Sequence, residues 1–271
     1  MDDGLVADLQ AEGAELDALV AGLGSDGWAL ATPAIGWTVA HQIAHLAWTD
    51  RWTLLAAHDP DAFAHALAEA FTADPDATGS DAASPVSPVD RGAAEGAGED
   101  PAALLARWRA GRAEVAAALA AVPAGVRLPW FGPPMKARSM LTARLMETWA
   151  HGQDVADALG AVRVPTARLR HVAHLGVRTV GFAFAAHGRP APDDPIRFEL
   201  ISPEGEFWHW GPADATDRVS GPALDFCLLV TQRRHPDDLA LTATGPTARA
   251  WLPLAQTFAG PPGPGRAPLK G

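Results

Sequence analysis

Leu5, Leu9, Leu16, Leu19, Val20 and Leu23 recur at intervals of three and four residues. That spacing lines one side of a helix with apolar side chains, so the chain is predicted to open with an amphipathic helix closed by Gly22 and Gly24. Val39, Ile43, Leu46 and Leu54 mark the apolar face of a second helix. Thr32 is its expected N-cap, with Thr38 the later start that Pro33 and Gly36 would impose. A shorter helix is expected over residues 59–72 and a longer one from Pro101 to about Ala121, where proline at the first-turn position costs no hydrogen bond. Between them, residues 73–100 are rich in Gly, Pro, Ser and Asp, which predicts a mobile loop. A Pro/Gly-rich connection then leads to Ser139, the expected N-cap of a helix ending at Gly160.

Beyond Pro165 the pattern changes. One helix is predicted to about His187, followed by "IRFELISPEGEFWHWG", two short runs about a Ser-Pro-Glu-Gly turn that predict a β-hairpin. "GPALDFCLLVTQRR" is expected to be helical, "LALTATG" a short strand, and "PTARAWLPLAQTFAG" a last helix interrupted near Pro253, with an irregular tail. The predicted fold is mainly α: a four-helix bundle over residues 1–160, then a smaller α+β domain over 161–271.

Composition narrows the partners. The 271 residues are 48% hydrophobic with a formal net charge of -11, and no basic stripe is present to bind nucleic acid or an anionic membrane. No apolar run is long enough to span a bilayer. The first ten residues lack a secretory pattern and the single cysteine, Cys227, cannot form an internal disulfide, so a cytoplasmic location is expected. With no tyrosine in the chain, one common general acid is missing.

The chemistry concentrates in "RLMETWAHGQDVADALG", residues 144–160. Glu147 and His151 stand four apart and share a helix face. Burying either alone is expensive, and a cation answers both costs. A zinc-type catalytic site takes three protein ligands and keeps a fourth position open. The best third donor is His45, among Ile43, Leu46 and Trp48, with His41 one turn earlier as its rival. A solvent-exposed or hydrogen-bonded Glu–His pair is the structural alternative.

"TPAIGWTVAHQIAHLAWTD" resembles the first signature of the DinB-like metal-binding bundles, and in particular the mycothiol-dependent maleylpyruvate isomerase family: a Trp, a short spacer, then a His followed by Leu. "ETWAHGQDVADALG" resembles the second, a Glu and a His one turn apart followed by Gly-x-Asp. The resemblance covers about the first 160 residues. The C-terminal part is similar, more loosely, to the sterol-carrier-like α+β domain that follows the bundle in some members. The resemblance implies metal ligands at His45, Glu147 and His151, zinc as the ion, and a small thiol such as mycothiol as co-substrate. It further implies a transferase or isomerase acting on a small electrophilic metabolite. A thiol-independent hydrolase or hydratase, and a non-catalytic small-molecule or lipid carrier, are the alternatives.

Around this site Asp154 is expected to orient a ligand or a water, and Arg144 to position an anionic substrate or pair with an acid. Gln153 is a further candidate hydrogen-bond partner. Cys227, within "DFCLLV", is expected to be a core residue. His171 and His174 lack an obvious third ligand. Arg233, Arg234 and His235 follow a helix, whose negative end they would favour. Trp208 and Trp210 are expected in the second domain's core or in a pocket. "GPPGPGR" lacks the Lys-Ser/Thr ending of a phosphate loop. The oligomeric state is left open.

Overall fold

A computed structural model describes residues 3–72, 87–263 and 265–269. By internal contacts the chain divides into two units, residues 1–144 with 154–161, and residues 145–153 with 162–271. In the first, α1 (Asp3–Val20) is followed by a single turn, α2 (Ser25–Trp28), and then α3 (Val39–His58) and α4 (Pro60–Thr72). α3 starts at the later of its two expected positions. Thr38 is its N-cap, while Thr32 instead donates its hydroxyl to the Trp37 carbonyl (2.9 Å) in the preceding loop, a turn permitted by Gly36 at φ +78°.

The loop predicted over residues 73–100 is corrected in part. Residues 73–86 lie outside the described residues, but Pro88–Ala97 form a helix, α5. Ser87 caps it by accepting from the Asp90 N–H (3.1 Å), and proline opens its first turn. Its buried face is Gly92, Ala93 and Gly96, too small to leave a periodic apolar signal.

α6 (Pro101–Ala121) follows, capped by Asp100, and then a two-stranded hairpin of β1 (Arg127–Leu128) and β2 (Met135–Lys136). This hairpin runs straight into α7 (Ala137–Leu159), so Lys136 in extended conformation precedes the helix and Ser139 is inside it, contrary to expectation. Gly160 closes α7 at φ +63°, in the left-handed conformation glycine adopts at helix C-termini.

α1, α3, α6 and the end of α7 share one apolar core that includes Leu16, Val20, Ile43, Leu46, Leu104, Trp108 and Val155. Ile43 and Leu46 are fully buried, each worth about 1.5–3 kcal/mol relative to an exposed position. Asp17 on α1 accepts from Arg109 (2.8 Å) and Arg112 (2.6 Å) on α6.

In the second unit the helix expected from Pro165 to His187 is two: α8 (Leu169–Arg178) and α9 (Val180–Ala186). They break at Thr179, whose hydroxyl donates back to the carbonyls of Leu175 and Gly176 (both 3.1 Å). The predicted hairpin is present as β3 (Ile196–Ile201) and β4 (Phe207–Trp210), turned through Gly205 at φ +85°. β5 (Asp217–Pro222) was not expected from its Asp, Arg, Ser, Gly and Pro. It pairs parallel with β3, which shields it on one side, and antiparallel with β6 (Thr242–Thr244), giving the order β4-β3-β5-β6.

α10 (Ala223–Val230) follows β5, and α11 (Pro246–Trp251) passes into a 3-10 turn at Leu252–Leu254, the interruption Pro253 implies. Phe198, Phe226 and Trp251 form the aromatic centre of this unit, with ring centroids 5.3 to 5.9 Å apart. Trp208 is buried and Cys227 fully so. Among the described residues no helix is long and apolar enough to cross a membrane. The fold is mainly α, with a DinB-like four-helix bundle followed by a smaller α+β region.

Candidate metal centre

α3 begins with an unusual capping arrangement. The backbone N–H of Thr38 donates to His41 Nδ1 (3.3 Å), and the Thr38 hydroxyl lies 2.8 Å from the same nitrogen. His41 is thereby engaged in starting the helix. Burial pushes its pKa down, which favours the neutral imidazole. One turn later His45 is 7% exposed, its ring facing the Trp37 indole with centroids 5.3 Å apart.

On α7, Glu147 and His151 share a face as their spacing predicts. His151 Nε2 is 3.2 Å from Glu147 Oε2, and their side chains are 12% and 22% exposed. One ligand atom from each of His45, Glu147 and His151 falls within 4.8 Å of the others.

Arg144, one turn before Glu147, is buried against Asp50 of α3. Its Nε and Nη2 donate to Asp50 Oδ1 (3.1 and 2.9 Å), and Nη2 donates to the Leu46 carbonyl (3.3 Å). Burial pushes the Asp50 carboxyl up, and the charge and hydrogen bonds of Arg144 oppose that push. The pair joins α7 to the α3 segment immediately after His45. Asp50 was not singled out in the sequence; the need of a core arginine for a buried acid was the available signal. Asp154, one turn beyond His151, is fully buried, and Gln153 is partly buried.

Elsewhere the remaining candidates are occupied locally. His174 Nδ1 accepts from the Trp210 indole (3.3 Å), and His171 is partly buried. Arg233 and Arg234 donate to the Thr231 and Arg233 carbonyls just past α10 (2.6 and 2.7 Å). His235 caps the 3-10 turn at Pro236 by accepting from the Asp237 N–H (3.2 Å). Cys227 Sγ donates to the Leu169 carbonyl (3.4 Å), and burial pushes its thiol pKa well up, which leaves it an inert core group.

The model for the mycothiol maleylpyruvate isomerase N-terminal domain matches residues 9–156, and that for wyosine base formation matches the shorter segment 192–244. Two uncharacterised proteins from Mycobacterium tuberculosis, strains CDC 1551 / Oshkosh and H37Rv, are each 54% identical over 261 residues, 96% of this chain and 97% of theirs. Crystal structures of the mycothiol-dependent maleylpyruvate isomerase and of a histidine-to-alanine mutant share the fold. Each has a TM-score of 0.58 at 18% identity, over 91% of this chain and 95% of the other. With its bundle matched along more than half of the sequence, the chain belongs to the family of the mycothiol maleylpyruvate isomerase N-terminal domain.

Proposed function

We propose that this protein is a zinc-dependent enzyme that uses a small thiol, mycothiol first among candidates, to isomerise or conjugate a small electrophilic metabolite. The observation that carries this reading is the convergence of two imidazoles and one carboxylate within 4.8 Å in a chain of this family. The donor set fits the ion: two nitrogens and one oxygen leave the fourth position of a catalytic zinc site open. Ligand atoms about 2.1 Å from a tetrahedral ion lie about 3.4 Å apart, close to the 3.2 Å between His151 and Glu147. Bound there, zinc would lower the pKa of a thiol and keep it nucleophilic at neutral pH.

The protein's own residues divide the remaining work. His45 comes from α3, and Glu147 and His151 come from successive turns of α7. We assign to the buried Asp154 the orientation of His151, and to Arg144 the bracing of α3 through Asp50 rather than direct contact with substrate. Thiol addition to a conjugated carbon–carbon double bond, rotation about the resulting single bond and expulsion of the thiol give isomerisation. A persistent adduct gives transfer. Cys227, fully buried in an apolar core, is unsuited to replace the external thiol.

Elemental analysis of protein purified without chelators, wild type beside His151→Ala, tests the reading. The expected result is near-stoichiometric zinc in the wild type and its loss in the variant, with turnover of unsaturated electrophiles only when thiol is added. Turnover without thiol would replace it by a hydrolase or hydratase. Absence of metal from the wild type even after zinc is supplied, with small-molecule binding indifferent to substitution of His45, Glu147 or His151, would replace it by a carrier.

A further inference from the structure

α5 meets the surroundings of His45 at three points, two on α3 and one in the loop before it. A Cβ on Gly96 would lie 2.8 Å from the Cβ of Ala44, the residue before His45. A Cβ on Gly92 would collide with the Trp48 indole, three residues after His45. Asp90, in the first turn of α5, reaches the ring beside His45 itself: its Oδ1 accepts from Trp37 Nε1 (3.1 Å). The carboxylate is steadied by the Ser87 hydroxyl, which donates to Oδ2 (2.7 Å).

The other end of Trp37 is equally constrained. Its carbonyl accepts from the Thr32 N–H (2.8 Å) and hydroxyl (2.9 Å), and its N–H donates to the Ala34 carbonyl (3.0 Å). Gln42 on α3 ties Thr32 in turn, through a buried hydrogen bond of 2.8 Å. The indole is thus held by its backbone and by its ring nitrogen, tilted 54° against the His45 imidazole. An aromatic neighbour in that geometry restricts rotation of the imidazole and keeps water from one side of it.

We infer that Trp37, tethered by Asp90, is a positioning residue for His45: it fixes the plane in which that imidazole is presented, and thereby the affinity and coordination geometry of the ion. This rests on the reading of His45 as a ligand. Partners that orient metal-bound histidines are commonly worth about 10- to 100-fold in affinity.

The test compares Asp90→Ala, Asp90→Asn and Trp37→Phe with the wild type and with His45→Ala. Three quantities are measured: the zinc dissociation constant by chelator competition, the visible spectrum of the cobalt-loaded protein, and the melting temperature of the metal-free protein. Asp90 is exposed, so its substitution is expected to leave the melting temperature of the metal-free protein near that of the wild type. The expected result is an affinity about tenfold weaker in Asp90→Ala and Trp37→Phe, with an altered cobalt spectrum. Asp90→Asn, which retains a carbonyl acceptor, keeps both near wild type. Unchanged affinity and spectrum in Asp90→Ala and Trp37→Phe, while His45→Ala loses the ion, would overturn the role of Trp37 alone. A wild type that binds no zinc or cobalt would overturn it together with the proposed function.

Discussion

Two carboxylates show how differently a buried acid can be accommodated. Asp17 is held below the ordinary carboxylate range by hydrogen bonds from Arg109, against the opposing effect of burial, with help from the charges of Arg112 and Arg109. A depressed folded-state pKa means stability that is complete above the unfolded value, about 3.9, and lost as pH falls through the folded one. Asp17→Asn should therefore reduce the loss of stability on acidification below about pH 4, as read from melts across that range. Asp50 is the opposite case. It is buried with Arg144, and its Oδ2 has no hydrogen-bond partner among the described residues. Arg144→Met would strand its charge and should cost about 3–5 kcal/mol in denaturant melts, whereas Asp50→Leu with Arg144→Met should recover most of that loss. The proximity of Glu147 to His151 was legible from their spacing. The pairing of Asp50 with Arg144 was not, because no local periodicity connects residues 94 positions apart.

At the level of elements, the glycines of α5 and α6 look alike in sequence and differ in surroundings. At Gly111 of α6 an added Cβ would make ordinary contact, 3.6 Å from the Asp50 Cβ, so Gly111→Ala should stabilise the protein by about 0.5–1 kcal/mol through helix propensity. At Gly92 the same methyl has no room beside Trp48, whose ring is already packed against Trp52 and Phe131 at 5.4 and 5.6 Å. Gly92→Ala should cost about 1–3 kcal/mol by overpacking. Equilibrium unfolding of the two variants side by side checks both signs. The large apolar residues made α1, α3, α6 and α7 readable. α5 was hidden because it packs by what it lacks, and β5 because its pairing with β3 and β6, not its polar and glycine-rich composition, makes it a strand.

For the whole molecule, the proposed centre links ion binding to stability. An ion that binds only the folded chain adds about 2.7 kcal/mol at a hundredfold excess over its dissociation constant. A chelator should accordingly lower the melting temperature of the zinc-loaded wild type and leave that of His151→Ala unmoved. The bundle, its three candidate ligands and the tryptophan of the first motif could be read from two short motifs, whereas the contacts of Trp37, Asp90 and Asp50 that brace them emerge only from tertiary packing. The bridge from Arg144 to Asp50 and Leu46 also bears on folding. It ties α3 to α7 through protein groups alone, closing the same long loop that the proposed ligands span. A zinc finger waits for its metal to fold; a bundle already closed by this bridge is expected to fold first and to take up the proposed ion afterwards. Refolding from denaturant should then run at one rate with or without zinc, and metal uptake should follow as a separate, later phase.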